Sequence, residues 1–189
     1  MPKTVRQPPP ATPAMVARLT INRTGQFTPG QRRLSLIVGL GALGLFLCPL
    51  AMLAQLIAVL FANNAPAITM SGVVIIVIGV LFLIMFAGMV GTNAQTFLTE
   101  TFMRRPVHHA RGPLEIRVSE GNRPELPFSY IIGDYSFAPY VVPAELPMVA
   151  GAPYIAYYAA RSRLLLSIAA LDAPDGAQWL PPEEHEKRI

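Results

Sequence analysis

The pattern of apolar and polar positions divides the chain into a long uncharged stretch and a shorter alternating one. Between Arg33 and Glu100 there is no acidic or basic side chain. Two apolar runs fill that interval, about 34–61 and about 68–91, separated only by Ala62-Asn63-Asn64-Ala65-Pro66. Each exceeds the roughly 18 to 20 apolar residues that a spanning helix needs at ~1.5 Å per residue. The pattern therefore predicts a transmembrane helical hairpin over residues 28–99. Thr28-Pro29-Gly30-Gln31 marks its start, with threonine at the N-cap, proline at the first helical position and glutamine three residues on. That is a capping box with a favoured first-turn proline. Pro49 removes a backbone hydrogen bond in mid-span and predicts a kink.

One face of the first run is built of small residues. Gly41, Gly44, Cys48, Ala51, Gln55, Ala58 and Ala62 follow one another in alternating steps of three and four. Such a seam permits the close backbone approach through which helices associate in a membrane. Ser71, Gly72, Gly79, Ala87, Gly88 and Gly91 are the matching small residues of the second run. The seam is expected to pack within the hairpin, or alternatively against another subunit. Gln55 is the only strongly polar side chain within the runs. Ion and proton pathways use intramembrane acids, bases or histidines, and their absence weighs against a pump or transporter.

From about Pro106 the period switches from helical to alternating. Val107–Ala110, Leu114–Val118, Phe128–Ile132 and the segment from Tyr135 through Phe137 toward Val141 read as short strands. Gly133-Asp134 is a two-residue hairpin turn of the type II′ kind. Tyr154–Tyr158 and Leu164–Ile168 flank Arg161-Ser162-Arg163 as a last hairpin. The fold class is thus an α+β membrane protein, a helical hairpin followed by a small antiparallel β-barrel or sandwich over 104–170. Residues 1–27 read as a disordered basic Pro-rich arm, and 171–189 as an acidic Pro-rich tail around Trp179. The arginines of the arm either touch anionic headgroups or only fix topology.

Charge changes the picture mainly by orienting it. The formal net charge is +4, but residues 1–33 carry six Lys/Arg and no acid, whereas 100–189 carry nine Lys/Arg against eleven Asp/Glu. The basic character thus belongs to the arm, and no nucleic-acid-binding module is present in the pattern. Arg32 and Arg33 abut the first run, and Arg104, Arg105 and Arg111 follow the second, while the connecting loop is uncharged. The positive-inside rule then places both termini in the cytoplasm, with the hairpin in the plasma membrane. The leading arm is too long and the first run too extended for a secretory signal. Leu47 before Cys48 argues against a lipoprotein site, and a single cysteine precludes an internal disulfide. Asn22-Arg23-Thr24 fits the glycosylation pattern but lies on the cytoplasmic side.

Sites for chemistry are scarce. No phosphate-binding glycine loop, zinc spacing or nucleophile motif occurs in the sequence. His108 and His109 are adjacent, so on a strand they point to opposite faces and do not share a metal. The expectation is no catalysis, no cofactor and no metal. Six tyrosines cluster in the β segment. Tyr135, Tyr140, Tyr157 and Tyr158 are the candidates for an interaction face, since tyrosine is favoured at interfaces.

Three stretches carry a resemblance: Ile132-Gly133-Asp134-Tyr135-Ser136-Phe137, Gly151-Ala152-Pro153-Tyr154-Ile155-Ala156-Tyr157-Tyr158, and Arg161-Ser162-Arg163-Leu164-Leu165-Leu166-Ser167-Ile168. Together they resemble the C-terminal part of uncharacterised bacterial two-span membrane proteins, with Ala169 standing where an acidic residue is usual. The layout is also similar to that of NfeD-like proteins, whose spans precede a small OB-type barrel; the resemblance implies a fold of that kind and no catalytic residue. The reading that follows is a membrane-anchored interaction or accessory protein that presents a small cytoplasmic β domain at the inner membrane face. Its partners are the lipid bilayer and a protein or larger membrane complex. A structural subunit docking through the small-residue seam, and an enzyme acting on lipid or an envelope precursor, are the alternatives.

Overall fold

The computed structural model describes residues 8–62, 70–118, 127–137 and 148–182. The chain forms two compact units, Arg33–Phe102 and the combination of Met1–Arg32 with Met103–Ile189. The expected turn at Asn63-Asn64, Tyr140, Val141 and the acidic residues after Pro182 lie outside the described residues.

The first unit is made by two helices, α2 (Pro29–Ala62) and α3 (Met70–Phe102), whose first turn, in α2, belongs to the other unit. Both are long and apolar enough to cross a bilayer by length and composition, over Pro29–Gln55 and Ile76–Phe102. α2 continues through Pro49. α3 runs beyond the apolar stretch, because Ala94, Phe97, Leu98 and Thr101 prolong its inward stripe through otherwise polar sequence.

The helices meet through a different stripe from the one the small residues suggest. On α2 the inward residues are Ser35, Gly39, Ala42, Phe46, Pro49 and Leu53. The Ser35 hydroxyl donates to the Phe97 carbonyl at 3.0 Å. A Cβ on Gly39 would stand 2.9 Å from the Leu98 side chain, and one on Gly91 3.2 Å from the Phe46 ring. Each close approach thus pairs a glycine with a bulky knob. Gly41, Gly44, Cys48, Ala51, Gln55 and Ala58 are exposed instead, and nothing lies within 4 Å of a Cβ built on Gly41 or Gly44. The expectation that the seam packs within the hairpin is corrected accordingly. Steps of three and four generate more than one stripe, and smallness alone does not choose among them. Of the small residues on α3, Ala87 is buried and Gly91 packed, while Gly79 and Gly88 face open space.

The second unit is a five-stranded antiparallel sheet in the order β3-β2-β1-β4-β5, with a helix packed on β5. The strands are β1 (Val107–Val118), β2 (Pro127–Ile132), β3 (Tyr135–Phe137), β4 (Pro153–Ala159) and β5 (Leu165–Ala170). β1 joins into one strand what the sequence pattern separates into two. Its first half, Val107–Pro113, pairs with β4, and its second half, Leu114–Val118, pairs with β2. Pro113 is tolerated at the changeover. The Leu114 N–H bonds the Ala152 carbonyl on the β4 side, so the Pro113 nitrogen faces the opposite edge and no β4 ladder bond is lost. Gly112 is needed there, since a Cβ would lie 2.7 Å from the Gly133 nitrogen. Gly133 itself has φ +59° while Asp134 does not enter the left-handed region, as a type II′ turn between Ile132 and Tyr135 requires.

The sheet is not closed into a barrel. β3 pairs over three residues only, β5 is packed by a helix, and no described pairing joins these two edges. The expected barrel is corrected to an open sheet covered by a helix. That helix, α1 (Pro13–Asn22), also corrects, within the described residues from 8 onward, the reading of 1–27 as a disordered arm. Pro13 sits in its first turn, where the missing N–H costs nothing, and the Thr12 hydroxyl accepts from the Met15 N–H at 3.4 Å. Met15 and Leu19, four apart, are fully buried in the core that the sheet builds from Leu114, Ile132, Phe137, Tyr154, Ile155, Leu165 and Ile168. The start of the C-terminal segment folds back as well. Gly176–Trp179 forms a 3-10 turn whose tryptophan is buried.

Candidate functional site

Two features of the sheet unit bring distant residues together. The first is a buried polar cluster. Asn22, at the end of α1, has no solvent exposure and uses its whole amide. Its Nδ2 donates to the Gln26 carbonyl and to Gln31 Oε1, both at 2.8 Å. Its Oδ1 accepts from Gln31 Nε2 at 3.2 Å and from the Ser167 hydroxyl at 2.8 Å. Gln31 Nε2 also donates to the Leu166 carbonyl at 3.1 Å. The capping box is formed as the sequence predicts: Gln31 Oε1 accepts from the Thr28 N–H at 2.9 Å, and Thr28 Oγ1 from the Gln31 N–H at 3.2 Å. The first turn of α2 is thereby tied to α1 and β5. Asn22 is also closed to glycosylation by its burial, independently of topology.

The second feature is a cavity of about 560 Å³ at the start of β1. Asn22, Arg23, Thr24 and Gly25 line it from the turn after α1. Arg105, Val107, His108 and His109 line it from β1 and the residues before, and Tyr135, Tyr157, Tyr158, Pro181 and Pro182 complete the wall. The opening exists because the edge of β1 opposite β4 has no strand partner over Val107–Gly112 among the described residues. The turn after α1 docks there, the Val107 N–H donating to the Gly25 carbonyl at 3.2 Å. The strand alternation sends His108 and His109 to opposite faces, as expected, and the cavity reaches both around the free edge. His108 sits edge-on to Tyr158, with centroids 6.1 Å apart, and His109 lies 6.2 Å from Tyr157.

The wall beside Pro181 is fixed by the returning C-terminal segment. Tyr157 donates its hydroxyl to the Trp179 carbonyl at 2.6 Å, and Arg23 Nη1 donates to the Gln178 carbonyl at 2.8 Å. Asp175 Oδ2 accepts from Trp179 Nε1 at 3.0 Å and from the Ala11 N–H at 3.2 Å. On the other face Tyr135, Phe137 and Tyr158 cluster, with Tyr158 5.1 Å from Tyr135 and 5.4 Å from Phe137. The Arg163 guanidinium lies 5.9 Å from the Tyr135 ring centroid. The Tyr158 phenol is pushed up to about 12, first by burial and then by its hydrogen bond to Tyr135 and that ring's proximity, with Arg163 acting the other way. Burial also raises Tyr130 and Tyr154, the latter despite accepting the Val149 N–H.

The described tyrosines among those singled out from the sequence, Tyr135, Tyr157 and Tyr158, are therefore not an exposed face. Tyr157 and Tyr158 are buried, because β4 lies between β1 and β5, and Tyr135 is half-buried on the edge strand β3. All three line the cavity. Arg23 and Arg105 are the residues the sequence reading missed. The signal for Arg23 was the apolar pair Met15 and Leu19, whose helical spacing marks α1 and places Arg23 at its C-cap. Among the described residues no three His, Cys, Asp or Glu side chains cluster as a metal site would require.

The fold thus defines a two-unit α+β chain, a pair of long apolar helices with an open, helix-covered antiparallel sheet. It matches no protein-family model, no curated protein and no solved structure.

Proposed function

We propose that this is a membrane-anchored interaction protein. α2 and α3 cross the bilayer, both termini are cytoplasmic, and the β unit binds a protein partner at the inner face. The observation that carries this reading is the outer surface of the helices. Leu45 (59 %), Met52 (61 %), Phe82 (61 %) and Met89 (59 %) are exposed, as are Ile37, Leu40, Ile78 and Met85. Apolar surface of that extent on two helices long enough to span asks for lipid rather than water. The orientation rests on the basic flanks at Arg32, Arg33, Arg104 and Arg105 around an uncharged turn.

Two experiments test it. A single cysteine at Asn64, in a Cys48→Ser background, is expected to react with an impermeant thiol reagent in intact cells. One at Ser136, exposed on β3, should react only after lysis. The reverse pattern inverts the topology. Affinity capture in mild detergent should recover a stoichiometric partner that is lost when residues 106–170 are deleted. Recovery of the chain alone across several detergents argues against a protein partner.

A second reading is favoured by one observation, the outward-facing seam. Gly41, Gly44, Cys48, Ala51, Gln55 and Ala58 are exposed on α2, where they leave a smooth surface for another helix. On that reading the chain is a structural subunit of a larger membrane complex, and Gly44→Leu reduces the size of the complex on a native gel while the β unit stays folded.

A further inference from the structure

We propose that the cavity at the start of β1 binds an organic phosphate, whose phosphoryl group is held by the guanidinium groups of Arg23 and Arg105. The cavity's size, about 560 Å³, is that of a small-molecule site rather than of a bare ion. Its described lining carries two guanidinium groups, two imidazoles and the hydroxyls of Thr24 and Tyr135, and no carboxylate. Asp172 and Asp175, the described acids of the adjoining segment, are not part of that lining, and Asp175 receives the Ala11 and Trp179 N–H groups.

The two arginines flank one turn. Arg23 caps α1, and two residues later a Cβ on Gly25 would lie 3.6 Å from the Cβ and Cγ of Arg105, so the Arg105 stem crosses the turn. Arg23 spends Nη1 on the Gln178 carbonyl, and its buried Nε has no hydrogen-bond partner among the described residues. Arg105 and His109 also engage neighbouring groups. A guanidinium has five donors in a planar fork, enough to hold a neighbour and a phosphate oxygen together. Two such forks on either side of one turn suit the several oxygens of a phosphate better than the two of a carboxylate. Tyr135, Tyr157, Tyr158 and the rings of Pro181 and Pro182 offer the apolar wall against which the organic part rests.

The proposal is independent of the membrane and protein-partner readings, since it concerns the sheet unit of the full chain in any amphiphile. The test is calorimetric titration of the full chain, in phosphatidylcholine nanodiscs, with glycerol 1-phosphate, glycerol and acetate. Glycerol 1-phosphate should bind at least tenfold more tightly than either of the others. Arg105→Gln and Arg23→Gln should each weaken it at least tenfold. Arg117→Gln, whose residue pairs with Glu115 away from the cavity, should leave it within twofold. Should Arg23→Gln disturb the fluorescence of Trp179, Arg105→Gln alone decides. Binding of acetate as tight as that of the phosphate, or indifference to Arg105→Gln, overturns the proposal. Repeating the titration in phosphatidylglycerol discs separates the sources. A lower apparent affinity there means that lipid headgroups share the site, and an unchanged one means a soluble phosphate.

Discussion

Asn22→Ala should destabilise the sheet unit out of proportion to the three heavy atoms it removes. The amide is fully buried and makes four hydrogen bonds, two given and two received. Its loss is not felt equally by the partners. Gln31 keeps the Thr28 N–H on its oxygen and the Leu166 carbonyl on its nitrogen. Gln26 is exposed, and water can reach its carbonyl. Ser167 has neither option, being fully buried with the Asn22 oxygen as its acceptor. Leaving such a hydroxyl unmet costs about 1–3 kcal/mol. The space vacated, roughly 40 Å³, adds about 1 kcal/mol at ~24 cal/mol per Å³. The expected loss is about 2–4 kcal/mol, a large part of the stability of a domain this size.

Trp179 makes the measurement specific to the sheet unit. It is the one tryptophan of the sequence and is buried beneath the returning segment. Urea unfolding of the full chain in mild detergent, followed by its emission, should show the midpoint of Asn22→Ala lowered by roughly 1–2 M at an ordinary m-value. The companion variant Ser167→Ala separates the causes. If the orphaned hydroxyl carries most of the cost, the double variant loses about 1–2 kcal/mol less than the sum of the singles. A midpoint for Asn22→Ala within 0.2 M of the parent, as an order-of-magnitude threshold, or strict additivity of the pair, would refute the assignment of this cluster as the latch between α1, α2 and β5.

Leu19→Ala truncates a fully buried side chain of α1 and should cost about 2–5 kcal/mol by the same assay; a loss below about 0.5 kcal/mol would mean that α1 does not cover the sheet. Gly39→Leu and Gly44→Leu should differ sharply: the first collides with the Leu98 side chain and backbone and should loosen the helical pair, seen as raised protease sensitivity in detergent, whereas the second meets nothing within 4 Å and should leave it intact. Equal sensitivity in the two variants would contradict the packing face. Alkaline pH should destabilise the sheet unit, because Tyr130, Tyr154 and Tyr158 are all raised above the ordinary phenol value, Tyr158 to about 12. Their stabilising contribution is complete below the unfolded value of about 10 and is lost as the pH climbs through the folded ones, where the unfolded chain binds fewer protons. The urea midpoint should hold steady between pH 7 and 9, fall above ~10, and fall less in Tyr158→Phe.

What the sequence made legible follows from the range of the forces involved. The two apolar helices, the capping box at Thr28 and Gln31, the Gly133-Asp134 turn and the β4–β5 hairpin are each specified by neighbours a few residues apart, and each is present. α1 was equally local, with Met15 and Leu19 one turn apart behind Thr12-Pro13, but the prolines before it concealed a helix that begins at a proline rather than being broken by one. The open sheet depends instead on long-range choices. β5 is packed by α1, which lies more than a hundred residues away in sequence, and among the described residues β3 does not pair with β5.

The cavity belongs to the same class of long-range result. Arg23 and Arg105 are eighty-two positions apart in sequence, and the whole of the uncharged interval lies between them. Neither arginine carries a local motif. They come together because Asn22, Gln31 and Ser167 fix the end of α1 against β5 while the Gly25 carbonyl receives Val107 on the free edge of β1. The tyrosines show the converse. Tyr157 and Tyr158 are conspicuous in the sequence, yet a place on β4 between two strands buries them on both faces of the sheet, where they line the cavity. Loss of the Asn22 latch should therefore weaken phosphate binding without touching a lining guanidinium. Asn22→Ala and Arg105→Gln should then both bind glycerol 1-phosphate more weakly, while only the first lowers the urea midpoint. A pair of variants that lost stability and binding in parallel would make the arginines part of the fold and not of a site.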